Sequence, residues 1–424
     1  MSAALALAVF CFTYILLLWD KIHRAIAALL GGMLLIVLGV LSQSKAVTYI
    51  DWNTLGLLIG MMIIVGITRR SGVFEYVALQ AVKATKGEPI RILIALATVT
   101  AVLSACLDNV TTVLLIVPIS FSIAASLELD PIPFIISQIL ASNIGGTATL
   151  IGDPPNIMIG SQTHLGFMDF VFNLAPVVIV IYIVTMAALY LIYRKRLEVP
   201  EALKLQVCLG DPREEIKDYA LLNKSLLVLG LVMLGFILHQ ALGLESATIA
   251  LSGATLLMLL AREEPEDILL AVEWPSIFFF IGLFIIVGGL VETGLIARLA
   301  SWALTITAGN FRLTGMLILW LSAVASAFVD NIPFVATMIP LIHQLGTLTG
   351  MSPTTLEPLW WSLSLGACLG GNGTIIGASA NVIVAGIAEK YGSPIKFGQY
   401  LKLAFPLMLV SILISSFYLL IFYL

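Results

Sequence analysis

Charged residues are scarce. Only 11% of the 424 residues are Asp, Glu, Lys or Arg, against 60% hydrophobic, and this excludes an ordinary water-soluble domain. No stretch alternates like a half-buried strand, so a sheet-based architecture is also excluded. The four cysteines, Cys11, Cys106, Cys208 and Cys368, show neither CxxC spacing nor clustering with the four histidines. A disulfide framework and a zinc site therefore have no support, and no metal or other cofactor is expected. A basic leader is missing before the first apolar segment, at 3–19, which is followed by Lys21 and Arg24. That segment reads as a retained span and not as a cleaved signal.

What is present is a long series of apolar segments approaching the thickness of a bilayer. They run at roughly 3–19, 25–41, 54–68, 90–107, 110–126, 132–160 and 170–193, and again at 226–241, 247–261, 276–291, 313–328, 332–346, 359–388 and 403–422. A polar connector, 194–225, separates an N-terminal repeat, 1–193, from a C-terminal repeat, 226–424.

The two sets are related in register. A shift of 222 places Trp52 on Trp274, Gly60 on Gly282, Ile63-Ile64-Val65-Gly66 on Ile285-Ile286-Val287-Gly288, Asp108-Asn109 on Asp330-Asn331, and Pro118 on Pro340. After a three-residue insertion, Gly145-Gly146 meets Gly370-Gly371, Thr149 meets Thr374 and Asn156 meets Asn381. Chance likeness between apolar segments matches Leu with Ile, not Gly, Asp, Asn, Thr and Pro.

The segments 90–107 and 110–126 are separated only by Asp108-Asn109, too short a link for a loop outside the membrane. With their counterparts near 313–346 they predict two re-entrant hairpins, whose tips must be buried in protein or line a cavity. Gly145-Gly146 and Gly152-Asp153-Pro154-Pro155 break the segment 132–160 into half-helices, and a second broken helix is predicted near 359–388. The fold class is thus an all-α polytopic membrane protein of two repeats, each with five transmembrane helices, one hairpin and one broken helix. Five crossings is an odd number, so the repeats are expected to be inverted. Eighteen of the 21 basic residues then fall on one side, which the positive-inside rule makes cytoplasmic together with the connector, leaving both termini outside.

Three carboxylates fall at membrane depth, Asp108, Asp330 and Asp153, and no Lys or Arg does. Intramembrane ionisable groups are functional by default. Asp108 and Asp330 are the expected ion-coupling core, because a desolvated carboxylate near a helix N-terminus can exchange a proton for a cation; the alternative is that each caps a hairpin arm. Asp153, before Pro154-Pro155, fits an N-cap with Pro at the first helical position. Neutral ligands come from Asn109, Thr111, Thr112, Asn143, Thr147, Thr149 and Asn156 in the first half and Asn331, Asn372, Thr374 and Asn381 in the second. Gly145, Gly146, Gly370 and Gly371 belong to the expected site or else serve close packing, the role expected of Gly31, Gly60 and Gly282. No fixed positive charge is expected in the site, and nothing indicates an enzyme or a nucleic-acid partner.

Three stretches carry a family resemblance: Leu107-Asp108-Asn109-Val110-Thr111-Thr112, the run from Ser142 to Asn156 containing Asn143-Ile144-Gly145-Gly146-Thr147 and Gly152-Asp153-Pro154-Pro155, and the run from Gly370 to Asn381. They resemble the ion transporter superfamily, in particular its arsenite efflux permease and pink-eyed-dilution branch. The resemblance implies a scaffold and a mobile transport domain, elevator-type alternating access and a homodimer. It also implies, as in some arsenite permeases, a soluble ATPase partner. Its first implication for substrate is proton-coupled export of arsenite or antimonite, a small inorganic hydroxide that needs no fixed positive charge. Sodium/proton antiport, a passive anion channel and a dicarboxylate carrier remain alternatives. The hairpin tips lack the Ser-Asn-Thr of related sodium-coupled dicarboxylate carriers, so that chemistry does not transfer intact.

Overall fold

In a computed structural model the described residues are 2–19, 21–207, 209, 211–262 and 264–424, and Cys208 lies outside them. Among them every regular element is helical. Among the described residues ten helices are long and apolar enough to cross a bilayer, counting each hairpin arm once. Shorter apolar helices, including Arg24–Val37, Ile132–Thr147 and Ser246–Ala261, accompany them.

The order of elements is the same in both halves. Ser2–Trp19, Arg24–Val37 and Trp52–Arg69 match Tyr219–Leu242, Ser246–Ala261 and Trp274–Glu292. The hairpin Pro89–Cys106 and Asn109–Ser126 matches Phe311–Phe328 and Asn331–Thr349. The broken helix Ile132–Thr147 and Pro154–Ser161 matches Pro353–Gly370 and Ser379–Lys390, and Phe167–Tyr193 matches Phe397–Phe422. Two short helices between the apolar segments, Val73–Ala84 and Leu295–Ile306, precede the hairpins and were not expected as elements. Each is amphipathic and too short to span.

The helices sort into two packed groups. Six of them form the first, the three opening helices of each half. Within it the halves exchange partners: Arg24–Val37 packs along Trp274–Glu292, and Trp52–Arg69 along Ser246–Ala261. Small residues let these backbones approach. A Cβ on Gly60 would lie 2.6 Å from the Ala250 carbonyl carbon, and one on Gly282 would run into Ala28, the equivalent position in the other half. In lipid, where burying apolar area drives little, such close van der Waals contact is the main attraction between helices.

The second group holds both hairpins, both broken helices and the two long helices. Each hairpin's first arm packs on its own broken helix. The same bonds tie the two elements in each half. Ser104 Oγ donates to Ser142 O at 2.7 Å and Ser326 Oγ to Ala367 O at 2.6 Å. Thr149 Oγ1 donates to Ala105 O at 2.6 Å, and Thr374 Oγ1 to Ala327 O. The two threonine hydroxyls satisfy carbonyls in the last turns of the hairpin arms, as buried backbone requires, and the two serine hydroxyls add a bond between the elements.

Candidate functional site

The two groups meet along a seam, and a cavity of about 30 Å³ lies in it. The six-helix group contributes Arg24, Leu58, Met62, Glu273, Ser276 and Phe280; the hairpin group contributes Asp108, Asn109, Val110, Asp153, Pro154, Asn331, Ile332 and Ser379. Such a volume admits a water or a small ion in this conformation.

The hairpin aspartates are helix caps. Asp108 Oδ1 accepts from the Thr111 N–H at 2.7 Å, and its other oxygen accepts from the Thr111 hydroxyl. Asp330 Oδ1 accepts from the Ile332 N–H at 3.1 Å, and Oδ2 from Ser379 Oγ at 2.6 Å. Asp330 also faces a cation, the Arg24 guanidinium at 3.4 Å, which bonds Ser379 Oγ as well and donates to Ser276 Oγ at 3.0 Å. Glu273 lies 3.7 Å from the same guanidinium.

Asp153 behaves differently. It occupies the N-cap position of Pro154–Ser161 as expected, but its side chain makes no cap bond. Pro154 and Pro155 have no N–H to offer, and the Asn156 N–H bonds the Asp153 carbonyl at 2.9 Å, so the carboxylate is free to turn into the cavity. There it is fully buried. It accepts from Asn109 Nδ2 at 3.3 Å and from Asn331 Nδ2 at 3.3 and 3.4 Å, one amide from each hairpin tip. The Cys368 thiol is a further neighbour. No ion pair to Asp153 is found among the described residues. The sequence-based cap role is thus corrected for the Asp153 side chain.

Behind the cavity runs a buried amide chain. Asn143 Oδ1 accepts from Asn109 at 3.2 Å, while Asn143 Nδ2 donates to both Asn372 Oδ1 and Asn381 Oδ1 at 2.9 Å. Asn156 Nδ2 donates to Thr149 O at 2.9 Å, and Asn381 Nδ2 to Thr374 O at 2.9 Å. Asn156 Nδ2 also reaches Thr147 O at 3.2 Å. These residues hold the two helix breaks together and fix Asn109 under Asp153.

Of the expected site residues, Asp108, Asn109, Asp153 and Asn331 line the cavity, and Asp330 lines its approach. Asn143, Thr147, Thr149, Asn156, Asn372, Thr374 and Asn381 lie behind it, with Thr111 in the cap and the Thr112 hydroxyl buried without a hydrogen-bond partner. The glycines pack. A Cβ on Gly370 would come within 2.6 Å of Ala323 O, and one on Gly145 would fall on the Ala101 carbonyl. Gly146 and Gly371 face the chain at Gly152 and Gly377 in the same way. The expectation of a site without fixed positive charge is overturned by Arg24. That residue, with Glu273 and Ser276, was missed because each lies at the edge of an apolar segment, and Ser379 was passed over inside the second helix break. The repeat register held a clue, since a shift of 222 sets Glu273 on Asp51 but Arg24 on Ser246.

Comparison with known proteins adds the following. The model of the citrate transporter family, CitMHS, matches residues 14–366. A protein described as an uncharacterized transporter of Mycobacterium bovis is 42% identical over 98% of both chains. The human P protein is 33% identical over 99% of this chain and 60% of its own length. Among solved structures, the YdaH transporter of Alcanivorax borkumensis superposes with a TM-score of 0.57 over 96% of this chain and 97% of its own, at 16% identity. At that identity the likeness concerns the fold.

Proposed function

The chain belongs to the CitMHS family of ion transporters and is a multi-pass membrane transporter, and from that premise we propose that it is a secondary active carrier whose coupling carboxylate is Asp153. The observation that carries this reading is a fully buried carboxylate held only by neutral groups at the seam between two packed helix groups. An intramembrane carboxylate without a fixed counter-ion is stable only when it binds a proton or a cation, so its occupant can be exchanged. Asp330 is less suited, because Arg24 already neutralises it. Asp108 is less suited because its two oxygens serve the Thr111 cap.

The transported substrate in this proposal is a small neutral hydroxide, arsenite or antimonite, exported against protons. Asp108, Asp153 and Glu273 give the lining an excess of acid over Arg24. Such a lining repels a di- or tricarboxylate and tolerates an uncharged polyol-like solute. The acid excess equally favours a second reading, sodium/proton antiport. Movement in both readings is of elevator type: the hairpin group slides along the six-helix group, which also pairs two copies into a homodimer. The connector faces the cytoplasm and both termini face outward.

Flux in proteoliposomes tests the reading. Arsenite or antimonite uptake into inside-out-oriented vesicles should rise at least tenfold when an outwardly directed sodium-free proton gradient is imposed, and sodium alone should not substitute. Proton-driven sodium flux with no metalloid movement would select the antiporter. Flux that ignores both gradients would overturn coupled transport. Cysteines introduced at Lys45 and Arg194 should react with an impermeant reagent from opposite sides.

A further inference from the structure

A second, larger cavity of about 450 Å³ abuts the buried one, bordered by Leu17, His23, Phe279 and Ile383. The two cavities share Arg24, Glu273 and Ser379, while Asp330 lines only the larger. The two cavities therefore adjoin at a small set of polar side chains. Arg24 comes from the six-helix group, and Asp330 and Ser379, bonded to each other, come from the hairpin group, so the Arg24 contacts to both cross the seam. Arg24 is braced from its own side by Ser276 at 3.0 Å and Glu273 at 3.7 Å, and its guanidinium lies over the Phe279 ring, 5.5 Å from the centroid.

We propose that Arg24, Asp330 and Ser379 form a gate that closes the coupling cavity from the larger vestibule, with Arg24 as the positioning residue that holds it shut. The planar guanidinium suits this role. It bonds groups on both sides at once, which a lysine ammonium does less well, and it stays charged whatever the Asp330 carboxylate does. A hairpin movement along the seam must break the Arg24 contacts to Asp330 and Ser379, while the Glu273 and Ser276 contacts travel with Arg24. The guanidinium is thus never left without partners, which lowers the cost of opening. The proposal rests on reading the buried cavity as the transport site, yet access to it can be measured without transport.

The experiment places a reporter cysteine in the cavity, Met62→Cys, and a control cysteine in the vestibule, Ile383→Cys, in the full-length protein in detergent. Methanethiosulfonate ethylammonium is added, and modification of each cysteine peptide is followed by mass spectrometry, so the native cysteines stay in place. The Ile383→Cys site should react quickly in every background. The Met62→Cys site should react slowly with Arg24 intact, at least tenfold faster with Arg24→Gln, and at an intermediate rate with Arg24→Lys. Asp330→Asn combined with Arg24→Gln, which lets two amides meet, should return the rate toward that of the intact gate. Should Arg24→Gln fail to purify monodisperse, Ser379→Ala removes the two gate bonds of its hydroxyl, with Arg24 and to Asp330, and should still speed the reaction severalfold. An unchanged Met62→Cys rate in folded Arg24→Gln and Ser379→Ala proteins, or a slow Ile383→Cys site, would overturn the gate. Loss of the gate with metalloid flux preserved would leave Asp153 coupling standing, and gating without any coupled flux would sink the coupling proposal alone.

Discussion

The two hairpin tips begin with the same dipeptide, Asp108-Asn109 and Asp330-Asn331, yet their aspartates live in different surroundings. Asp108 is capped onto its own arm and meets no basic side chain among the described residues. Asp330 shares its carboxylate between its arm, Ser379 and the Arg24 guanidinium of the opposing helix group. The asparagines, by contrast, do the same thing: Asn109 and Asn331 each give one amide to Asp153. Matching elements in the two halves thus supply a symmetric cradle, and charges found in one half alone, Asp153 where the other has Ala378 and Arg24 where it has Ser246, make its two faces chemically different.

The largest expected effect comes from removing the unique carboxylate. Asp153→Asn should lower proton-coupled flux by about a hundredfold or more while the protein purifies as before, since Asn keeps the size and can still face Asn109 and Asn331; a hundredfold corresponds to about 2.7 kcal/mol of lost coupling. Near-normal coupled flux in this variant would return the ion site to the hairpins. A sharper comparison sets Asp330→Asn against Asp108→Asn. Both keep a cap, because Asn caps as well as Asp, but only the first strips Arg24 of a partner. Asp330→Asn should therefore slow flux roughly tenfold and Asp108→Asn only a few-fold, measured as initial rates in vesicles. Equal rates would erase the distinction between the tips. The smallest effect on transport, with the clearest effect on stability, belongs to the shared cradle. Asn143→Ala leaves Asn109, Asn372 and Asn381 each short of a buried bond, which should destabilise the fold by about 2–4 kcal/mol and depress the thermal midpoint in detergent. Residual flux per folded molecule should stay within a few-fold of normal.

The cradle was legible in the sequence because Gly, Pro, Asp and Asn are conspicuous inside apolar runs, and because the register repeats them. Hairpins, breaks and both sets of helices followed from those residues. Arg24 was not legible by the same route, since a search for likeness between halves passes over the positions where they differ. Val73–Ala84 and Leu295–Ile306 escaped because a short amphipathic helix lacks a long apolar run. The side-chain cap expected at Asp153 is absent for a simpler reason. Asp-Pro-Pro has the look of a cap, but Pro155 has no N–H to give and the Asn156 N–H is taken by the Asp153 carbonyl, and that frees the side chain for the cavity.

Proton release on ligand binding reports on the Asp153 carboxylate without a transport assay. Purified protein in weakly buffered detergent near neutral pH is mixed with sodium chloride and, separately, with arsenite, and the pH change is read with an electrode or indicator dye. About one proton should be released per chain by the unaltered protein with the coupled ligand. The same release is predicted from the Asp108→Asn, Asp330→Asn double variant, and none from Asp153→Asn. Full release from Asp153→Asn, or none from the double variant while it still binds ligand, would contradict it.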